Sequence, residues 1–268
     1  MNTVTLFSSR ETPVEWRSVV PGVVLTAGVK NKLEIKLKET PNTGDGVVMS
    51  PGSVKITLRR MGDISTTLLE FDSIPVTGDA ESLVVKVAIP TDFTRGYYRL
   101  HLIKYDTTGD AEAVYDAWAV VDKSIEPQRD NHMELNSIRT QFADLDGEDN
   151  KLLGSLEVGV GDIAEAVERC LAQWSATAPR TSRYYGDTFP YPELLRNGVM
   201  SMLLESICSH LDRNRMSYQA EGVAVDLERR VDTYKQMHMT YDAKWRSGMM
   251  QMKNEENVAS FSGGVRYW

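Results

Sequence analysis

The spacing of the hydrophobic residues changes once along this chain, close to Pro127. Before that point apolar residues alternate with polar ones in short runs, as between Leu33 and Lys38 and between Val54 and Arg59. Beyond it they recur every three or four residues. A period of two is typical of a strand with one solvated face, and the longer period is typical of an amphipathic helix. The chain is therefore predicted to be an α+β protein with two domains.

The first domain, residues 1–126, is predicted to be an antiparallel β-sandwich. Its short apolar runs are separated by turn signals such as Thr43-Gly44-Asp45 and Thr108-Gly109-Asp110. Short strands at near-regular spacing, with no helical stretch between them, favour two packed sheets. The predicted strands are Val4–Phe7, Val23–Ala27, Leu33–Leu37, Val54–Arg59, Thr67–Phe71, Leu83–Ile89, Tyr97–Tyr105 and Ala113–Val121.

One segment bears on the type of sandwich. Gly96-Tyr97-Tyr98-Arg99-Leu100 resembles the Gly-x-Tyr-x-Leu segment that opens a late strand in many immunoglobulin-like domains. In those domains the tyrosine hydroxyl bonds back to the backbone at a corner. An ordinary aromatic strand fits the same letters, so the pattern leaves both interpretations open.

The second domain, residues 127–256, is predicted to be a helical bundle. The polar, proline-containing run Lys123–Asn131 marks the boundary. A short helix is predicted over Glu134–Leu145, a longer one over Val160–Trp174, and a third beginning at Pro192. A fourth helix carries a heptad-like seam that is expected to pack along neighbouring helices. The seam residues are Leu227, Val231, Tyr234, His238, Tyr241 and Trp245, continued by Met249 and Met252.

The loop between the second and third helices combines arginines with aromatic residues: Arg180, Arg183, Tyr184 and Tyr185. Such a set can contact a nucleic-acid backbone by charge and by stacking. It can also pack its aromatic rings against its own domain or a neighbouring subunit, and the acidic flanking helices favour this packing.

The last segment, residues 257–268, is predicted to be an extended docking tail. It contains the aromatic and arginine residues that anchor interfaces, together with a flexible glycine pair. The residues expected to dock on a partner are Phe261, Gly263, Gly264, Arg266, Tyr267 and Trp268.

Composition and motifs exclude several functional classes. The net charge is −8, from 30 basic and 38 acidic residues, whereas nucleic-acid-binding modules are usually basic. Two cysteines and four histidines show no metal-ligand spacing, and no phosphate-binding loop or nucleophile elbow occurs. The acidic run Asp144–Asn150 suggests a calcium loop but lacks its glycine and carboxylate register. We therefore expect a non-enzyme without metal or organic cofactor, and with neither a signal peptide nor a membrane span.

From about Glu134 to Trp268 the chain resembles the head-to-tail connector, or adaptor, proteins of tailed bacteriophages. The resemblance rests on the helix Asp162–Trp174, the loop after it, the helix Glu193–Asp212 and a long last helix with a tail. It implies a virion protein that forms a ring of about twelve subunits beneath the portal. The tail would dock on the portal, and the ring would also bind other tail or neck proteins. Genomic DNA would pass through the channel.

The sandwich is not part of the minimal adaptor and resembles the immunoglobulin-like modules often added to phage structural proteins. It is expected to project as a collar or to contact the next tail component. Two alternatives remain open at this stage. One is a baseplate or receptor-binding module that uses the sandwich, and the other is a helical scaffold or dimerisation protein.

Overall fold

The computed structural model describes residues 22–36, 52–75, 77–78, 82–124, 133–142, 158–180, 182–213, 219–220, 223–224 and 227–262. The chain divides into two compact units. The sheet unit comprises Met1–Glu165 and Tyr185–Pro190, and the helical unit comprises Ala166–Tyr184 and Tyr191–Trp268. A β-sheet region followed by four helices confirms the predicted α+β class.

The described strands of the sheet unit form two sheets. Its strands are β1 (Gly22–Ala27), β2 (Lys30–Lys36), β3 (Ser53–Arg60), β4 (Asp63–Pro75), β5 (Thr77–Gly78), β6 (Ser82–Ala88), β7 (Gly96–Tyr105) and β8 (Ala111–Ser124). The larger sheet has the order β1-β8-β7-β3-β4, and the smaller one has the order β2-β6-β5. Each predicted strand from Val23 onward overlaps one of these, whereas Val4–Phe7 lies outside the described residues.

The two sheets share one hydrophobic core, as a sandwich requires. Alternate residues of the larger sheet, such as Leu25, Ile56 and Leu100, are buried together with Val85 and Val87 of β6. One detail of the prediction is wrong, because β1 pairs with β8 in parallel rather than antiparallel. These strands lie far apart in the sequence, so no tight hairpin forces an antiparallel pairing between them.

A tyrosine corner, one of the two interpretations left open for this segment, is present at the start of β7. The hydroxyl of Tyr98 donates a hydrogen bond of 2.6 Å to the backbone oxygen of Thr94, four residues earlier. The Tyr98 ring also packs on Phe93, with 5.1 Å between ring centroids. This bond fixes the bend that leads the chain into β7, as in immunoglobulin-like sandwiches.

Replacing Tyr98 by phenylalanine should lower the free energy of unfolding of the sheet unit by about 1–3 kcal/mol, because the ring stays packed while the Thr94 carbonyl loses its donor. The matched control is Tyr105→Phe, which removes one phenol from the far end of the same strand. Urea unfolding followed by circular dichroism measures both. Equal effects in the two variants would contradict a special role for the corner.

The outer face of the larger sheet carries a second apolar layer. Tyr97, Trp118 and Val120 alternate with core residues yet are also buried. The Tyr97 hydroxyl donates to the backbone oxygen of Met133 at 3.0 Å, just before helix α1 (Leu135–Phe142). Residues after the sandwich are thus part of this unit, and the compact unit extends beyond the predicted limit at residue 126.

Glycines allow the later segments to approach the sheet. A Cβ atom on Gly186 would lie 2.4 Å from the backbone oxygen of Tyr97, and one on Gly22 would lie 2.4 Å from the backbone nitrogen of Gly161. The backbone of residues 185–190 continues this contact, because the Tyr97 amide donates to the Gly186 oxygen at 3.3 Å. The change in hydrophobic spacing along the sequence does not predict these contacts, because they depend on which face of the strands is apolar.

The helical unit is built from α2 (Val160–Ala176), α3 (Pro192–Arg213) and α4 (Leu227–Ser262). The first residues of α2 belong to the sheet unit, and the rest belong to the helical unit. Strands β9 (Gln219–Ala220) and β10 (Val223–Ala224) form a small antiparallel pair that the sequence pattern did not predict.

Helix α3 is buried on more than one stripe. Leu195, Val199, Leu203 and Ile207, spaced by four residues, are buried. A second set of buried residues on the same helix comprises Met200, Ser201, Leu204 and Cys208. The helix is therefore buried over a wider face than a single stripe, while residues such as Glu205 and Ser209 remain exposed.

Helix α4 buries one narrow stripe. Val231 and Trp245 of the predicted seam are buried, Tyr234 and Tyr241 are half-buried, and the side chain of Leu227 lies outside the described residues. The helix also runs further than predicted. Residues 257–262 contain no glycine or proline and continue it to Ser262, so the predicted tail does not begin at Asn257.

Candidate functional site

The loop between α2 and α3 is held by two charged residues near the end of α4. Lys253 is fully buried, and its Nζ atom donates to the backbone oxygens of Thr177 at 2.7 Å and Pro179 at 3.0 Å. The same ammonium group lies 5.1 Å from the ring centroid of Trp174. One cation thereby satisfies two carbonyls that follow the end of α2.

Glu256 binds the remainder of the loop, almost one helical turn after Lys253. Its carboxylate accepts hydrogen bonds from the hydroxyls of Ser182, Tyr184 and Tyr191. The Tyr184 oxygen is 2.6 Å and the Tyr191 oxygen 3.2 Å from Oε1 of Glu256. We call Lys253, Glu256 and their partners Thr177, Pro179, Ser182, Tyr184 and Tyr191 the loop clasp.

Burial and charge shift the pKa values of groups in the clasp. Burial raises the pKa of Tyr184 to about 12, and its hydrogen bond to Glu256 acts in the same direction. Burial and the Glu256 charge also raise the pKa of Tyr191. Burial lowers the pKa of the Lys253 amine, while the Glu256 charge opposes that change. Both phenols are thus kept protonated as donors, and the arrangement suits holding a loop rather than abstracting a proton.

Alkaline pH should weaken the helical unit because of Tyr184. Its folded pKa is raised above the ordinary value of 10.0, so the folded chain retains a proton that the unfolded chain releases. The stabilisation is complete below pH 10.0 and is lost progressively as the pH rises towards about 12. The free energy of unfolding of the native chain, measured between pH 9 and about 12, should fall more steeply than that of Tyr184→Phe.

Tyr241→Phe is the matched control for the loss of one phenol from the helical unit. We expect the free energy of unfolding of this variant to fall with rising pH as steeply as that of the native chain. A Tyr184→Phe variant with the native slope would show that Tyr184 ionises equally in both states.

The clasp lies on an aromatic cluster. Trp174 and Trp245 are fully buried, with 6.4 Å between their ring centroids. The Trp245 indole nitrogen donates to the side-chain oxygen of Gln173 at 2.8 Å. The rings of Tyr184 and Tyr191 lie 5.9 Å and 6.0 Å from that of Trp174. Packing and hydrogen bonding therefore fix this part of the loop together.

The predicted arginine–aromatic residues have different environments. Tyr184 is half-buried in the clasp, whereas Tyr185 belongs to the sheet unit, where the Arg60 guanidinium lies 4.9 Å from its ring centroid. Arg180 and Arg183 are exposed. Both tyrosines therefore pack within the chain, and the two arginines lie at the surface.

The predicted docking tail falls mostly outside the described residues. Phe261 lies in the last turn of α4, but its side chain is outside them, as are Gly263, Gly264, Arg266, Tyr267 and Trp268. The calcium-like run Asp144–Asn150 is also outside them. The role of the tail stays a prediction.

Other candidate chemistry is sparse in the part of the chain that the structure describes. No group of three or more histidine, cysteine, aspartate or glutamate residues there is arranged to hold a metal ion. Burial raises the pKa of both the Cys170 and the Cys208 thiols, which disfavours reactive thiolates. His238 packs in the seam with Nδ1 at 3.0 Å from the Ser201 backbone oxygen. Among the described helices, none has the length and apolar character needed to cross a membrane.

Lys253 and Glu256 are the important residues that the sequence prediction missed. The sequence did contain a signal, because the seam that passes through Trp245 and Met249 continues by three- and four-residue steps to Lys253 and Glu256. A lysine and a glutamate at apolar positions of a seam indicate polar partners, but the sequence does not say which ones.

Comparisons with known proteins found partial structural resemblances. No family model and no curated protein sequence matches the chain. Solved structures that resemble part of it include a GspB Siglec domain, at 16% identity over 45% of this chain and 69% of that one, with a TM-score of 0.25. A second is a fibronectin(III)-like module of Clostridium thermocellum CbhA, at 15% identity over 40% of this chain and 94% of that one, with a TM-score of 0.19.

Proposed function

We propose that this chain is a structural protein of a tailed-bacteriophage virion, a neck or adaptor subunit that forms a ring beneath the portal. Its helical unit would line the DNA exit channel. Its sandwich, which we take to be immunoglobulin-like, would project as a collar or contact the next tail component. The proposal rests on the order of elements in the helical unit and chiefly on the burial pattern of α4.

Helix α4 has more surface than its own unit covers. Its 36 residues span about 54 Å, against about 33 Å for the 22 residues of α3. Only one stripe is buried, and Met239, Met250 and Val258 are exposed. Met239 and Met250 are separated by about three turns and lie on one face. Exposed methionines on one side of the longest described helix support association with another copy, as between neighbours in a ring.

The loop clasp supports the same function. It connects the end of α2 and the start of α3 to the last third of α4 through the side chains of Lys253 and Glu256. Arg180 and Arg183 remain exposed on that fixed loop. Exposed arginines in a chain of net charge −8 suit weak, sequence-independent contact with passing DNA.

The mass of the assembled particle tests the proposal. The chain mass is 30.1 kDa, so a ring of about twelve copies has a mass of roughly 360 kDa. Native mass spectrometry and negative-stain imaging, with and without the portal protein of the same phage, should detect a closed ring. A chain that stays monomeric under both conditions would contradict the proposal, a stable dimer would favour a scaffold protein, and a trimer would favour a receptor-binding module.

Variants of α4 test which face makes the contact. Met239→Glu combined with Met250→Glu should preserve folding, because both side chains are exposed, and should prevent ring formation. Gln251→Glu is the matched control, since it adds a charge about 100° around the helix from Met250. Ring formation that survives the double change would contradict the role given to this face.

Deleting Gly263–Trp268 tests the docking tail. The deletion begins after the last helical residue, so we expect folding and ring formation to be retained. Capture of the portal protein on beads should be lost. Capture at the level of the full chain would show that portal docking does not require the tail.

A further inference from the structure

The outer face of the smaller sheet is rich in lysine. Leu33 of β2 and Val85 of β6 pair with each other and belong to the sandwich core. Because residues alternate between the two faces of a strand, the positions next to them lie on the opposite face. Lys30 and Lys86 on that face are exposed. The charged positions of this face are Lys30, Lys32, Glu34 and Lys36 of β2 and Lys86 of β6, and we call it the lysine face.

Two lysines of the lysine face occupy directly opposite positions. Lys32 of β2 pairs with Lys86 of β6 in the antiparallel register, and like charges at such positions destabilise a sheet. A lysine on an edge strand such as β2 discourages pairing with other chains. This does not account for Lys86, because β6 lies between β2 and β5. The positive charge on the central strand therefore points to a negatively charged partner.

The positive charge is concentrated in a narrow strip. Residues two apart on a strand are separated by about 6.6–6.8 Å, and adjacent strands by about 4.8 Å. The positions from Lys30 to Lys36 thus span about 20 Å along β2, with Lys86 one strand to the side. Four lysines and one glutamate leave three positive charges on these strands, whereas the whole chain carries −8. Such a local excess of one sign attracts a partner of the opposite sign.

The composition of the lysine face favours a phosphate backbone over a protein or a membrane. Protein interfaces are anchored by aromatic or large side chains, and faces that lie in a membrane surface combine lysine with apolar residues that insert. The uncharged positions of this face on β6 are Ser82, Val84 and Ala88, none of which is aromatic. Bases of a single strand would find no ring to stack on. The regular phosphates of a duplex are the partner that fits.

We propose that the lysine face binds the phosphate backbone of double-stranded DNA without reading its sequence. Lysine contacts phosphate as a point charge, and the release of condensed counterions from the duplex drives the binding. The inference rests on the smaller sheet alone. It adds a DNA contact on the sandwich and holds whether or not the chain forms a ring.

Binding of the whole chain to a fluorescently labelled duplex of about 20 base pairs tests the site. Fluorescence anisotropy is measured over a range of sodium chloride concentrations. Each lysine–phosphate contact contributes about −0.9 to the slope of log K against log salt concentration, so four contacts give a slope of about −3.6. Duplexes of different sequence should bind equally. Absence of salt-dependent binding, a preference for one sequence, or tighter binding of a single strand of equal length would overturn the proposal.

Variants locate the binding on the lysine face. Lys30→Gln and Lys86→Gln should each weaken binding about fivefold to tenfold at about 0.1 M salt and reduce the slope by about one. Both positions are exposed, so folding should be retained. Glu34→Gln removes the negative charge of the face and should strengthen binding. Lys244→Gln, at an exposed position of α4, is the matched control and should bind like the native chain. Native affinity in both lysine-face variants, or equal weakening in Lys244→Gln, would overturn the proposal.

Two further measurements separate this site from other contacts. In a chain that carries Arg180→Gln and Arg183→Gln, Lys86→Gln should still lower the affinity by the same factor, because independent sites contribute additively. A Lys86→Gln change without effect in that chain would place the DNA contact on the loop. Vesicles of phosphatidylcholine with about one third phosphatidylglycerol should bind more weakly than the duplex at equal anionic charge. Tighter binding of the vesicles would identify a lipid surface and overturn the assignment to DNA.

Discussion

Replacing Trp245 by alanine should lower the free energy of unfolding of the helical unit by about 3–5 kcal/mol. The side chain is fully buried between α4 and its neighbours, and it contacts the ring of Trp174. Alanine would leave a cavity and would remove the hydrogen bond that the indole nitrogen donates to Gln173. Urea unfolding followed by circular dichroism at a helical wavelength measures the change, because helices dominate that signal.

Met239→Ala is the matched control for the Trp245 variant. It truncates a large side chain on the same helix, but Met239 is 69% exposed and should change stability by less than about 0.5 kcal/mol. A Trp245→Ala variant that loses less than about 1 kcal/mol would show that this ring is not part of a packed core.

A neighbouring glycine offers an independent check on the same packing. A Cβ atom at Gly198 would lie 2.8 Å from the Trp245 ring and 2.9 Å from the Cys170 sulfur. Gly198→Ala should therefore be destabilising by itself. Its cost should be smaller in the Trp245→Ala background, because the overlap with the Trp245 ring is then removed. Such non-additivity is expected of residues in contact and not of distant, independent sites.

The sequence predicts the elements of this fold better than it predicts their contacts. Alternation and helical spacing are local properties, and they located the strands from Val23 onward as well as the starts of α2, α3 and α4. The end of α4 was predicted too early, because aromatic and glycine residues near the terminus suggested a tail. The helix continues to Ser262 since the first residue that favours its end is Gly263.

Long-range contacts were harder to predict because no local signal specifies them. The second apolar layer contains Tyr97 and Trp118. To predict it, one must know which face of the strands the later segments of the chain cover. The loop was interpreted from its arginines and aromatic residues, yet Lys253 and Glu256, more than sixty residues further along the chain, hold it in place. Only their seam spacing linked them to the helix core, and spacing does not identify a hydrogen-bond partner.

Replacing Lys253 by methionine should lower the free energy of unfolding of the helical unit by about 2–5 kcal/mol. Methionine fills a similar volume, but the backbone oxygens of Thr177 and Pro179 would both lose their donor inside the protein. Each buried acceptor left unsatisfied costs about 1–3 kcal/mol. Removing a buried ammonium also removes its desolvation cost, which offsets part of this loss and sets the lower end of the range.

Lys244→Met is the matched control for Lys253, since it makes the same chemical change at an exposed position of α4. We expect it to change stability by less than about 0.5 kcal/mol. Hydrogen exchange adds a local readout, because Lys253→Met should increase exchange most strongly in the loop of residues 177–184 if the clasp orders that loop. A Lys253→Met variant as stable as the native chain, with unchanged loop exchange, would mean that the buried ammonium contributes no net stability. The loop would then have to be held by the hydrogen bonds to Glu256 and by the packing of Tyr184 and Tyr191 on Trp174.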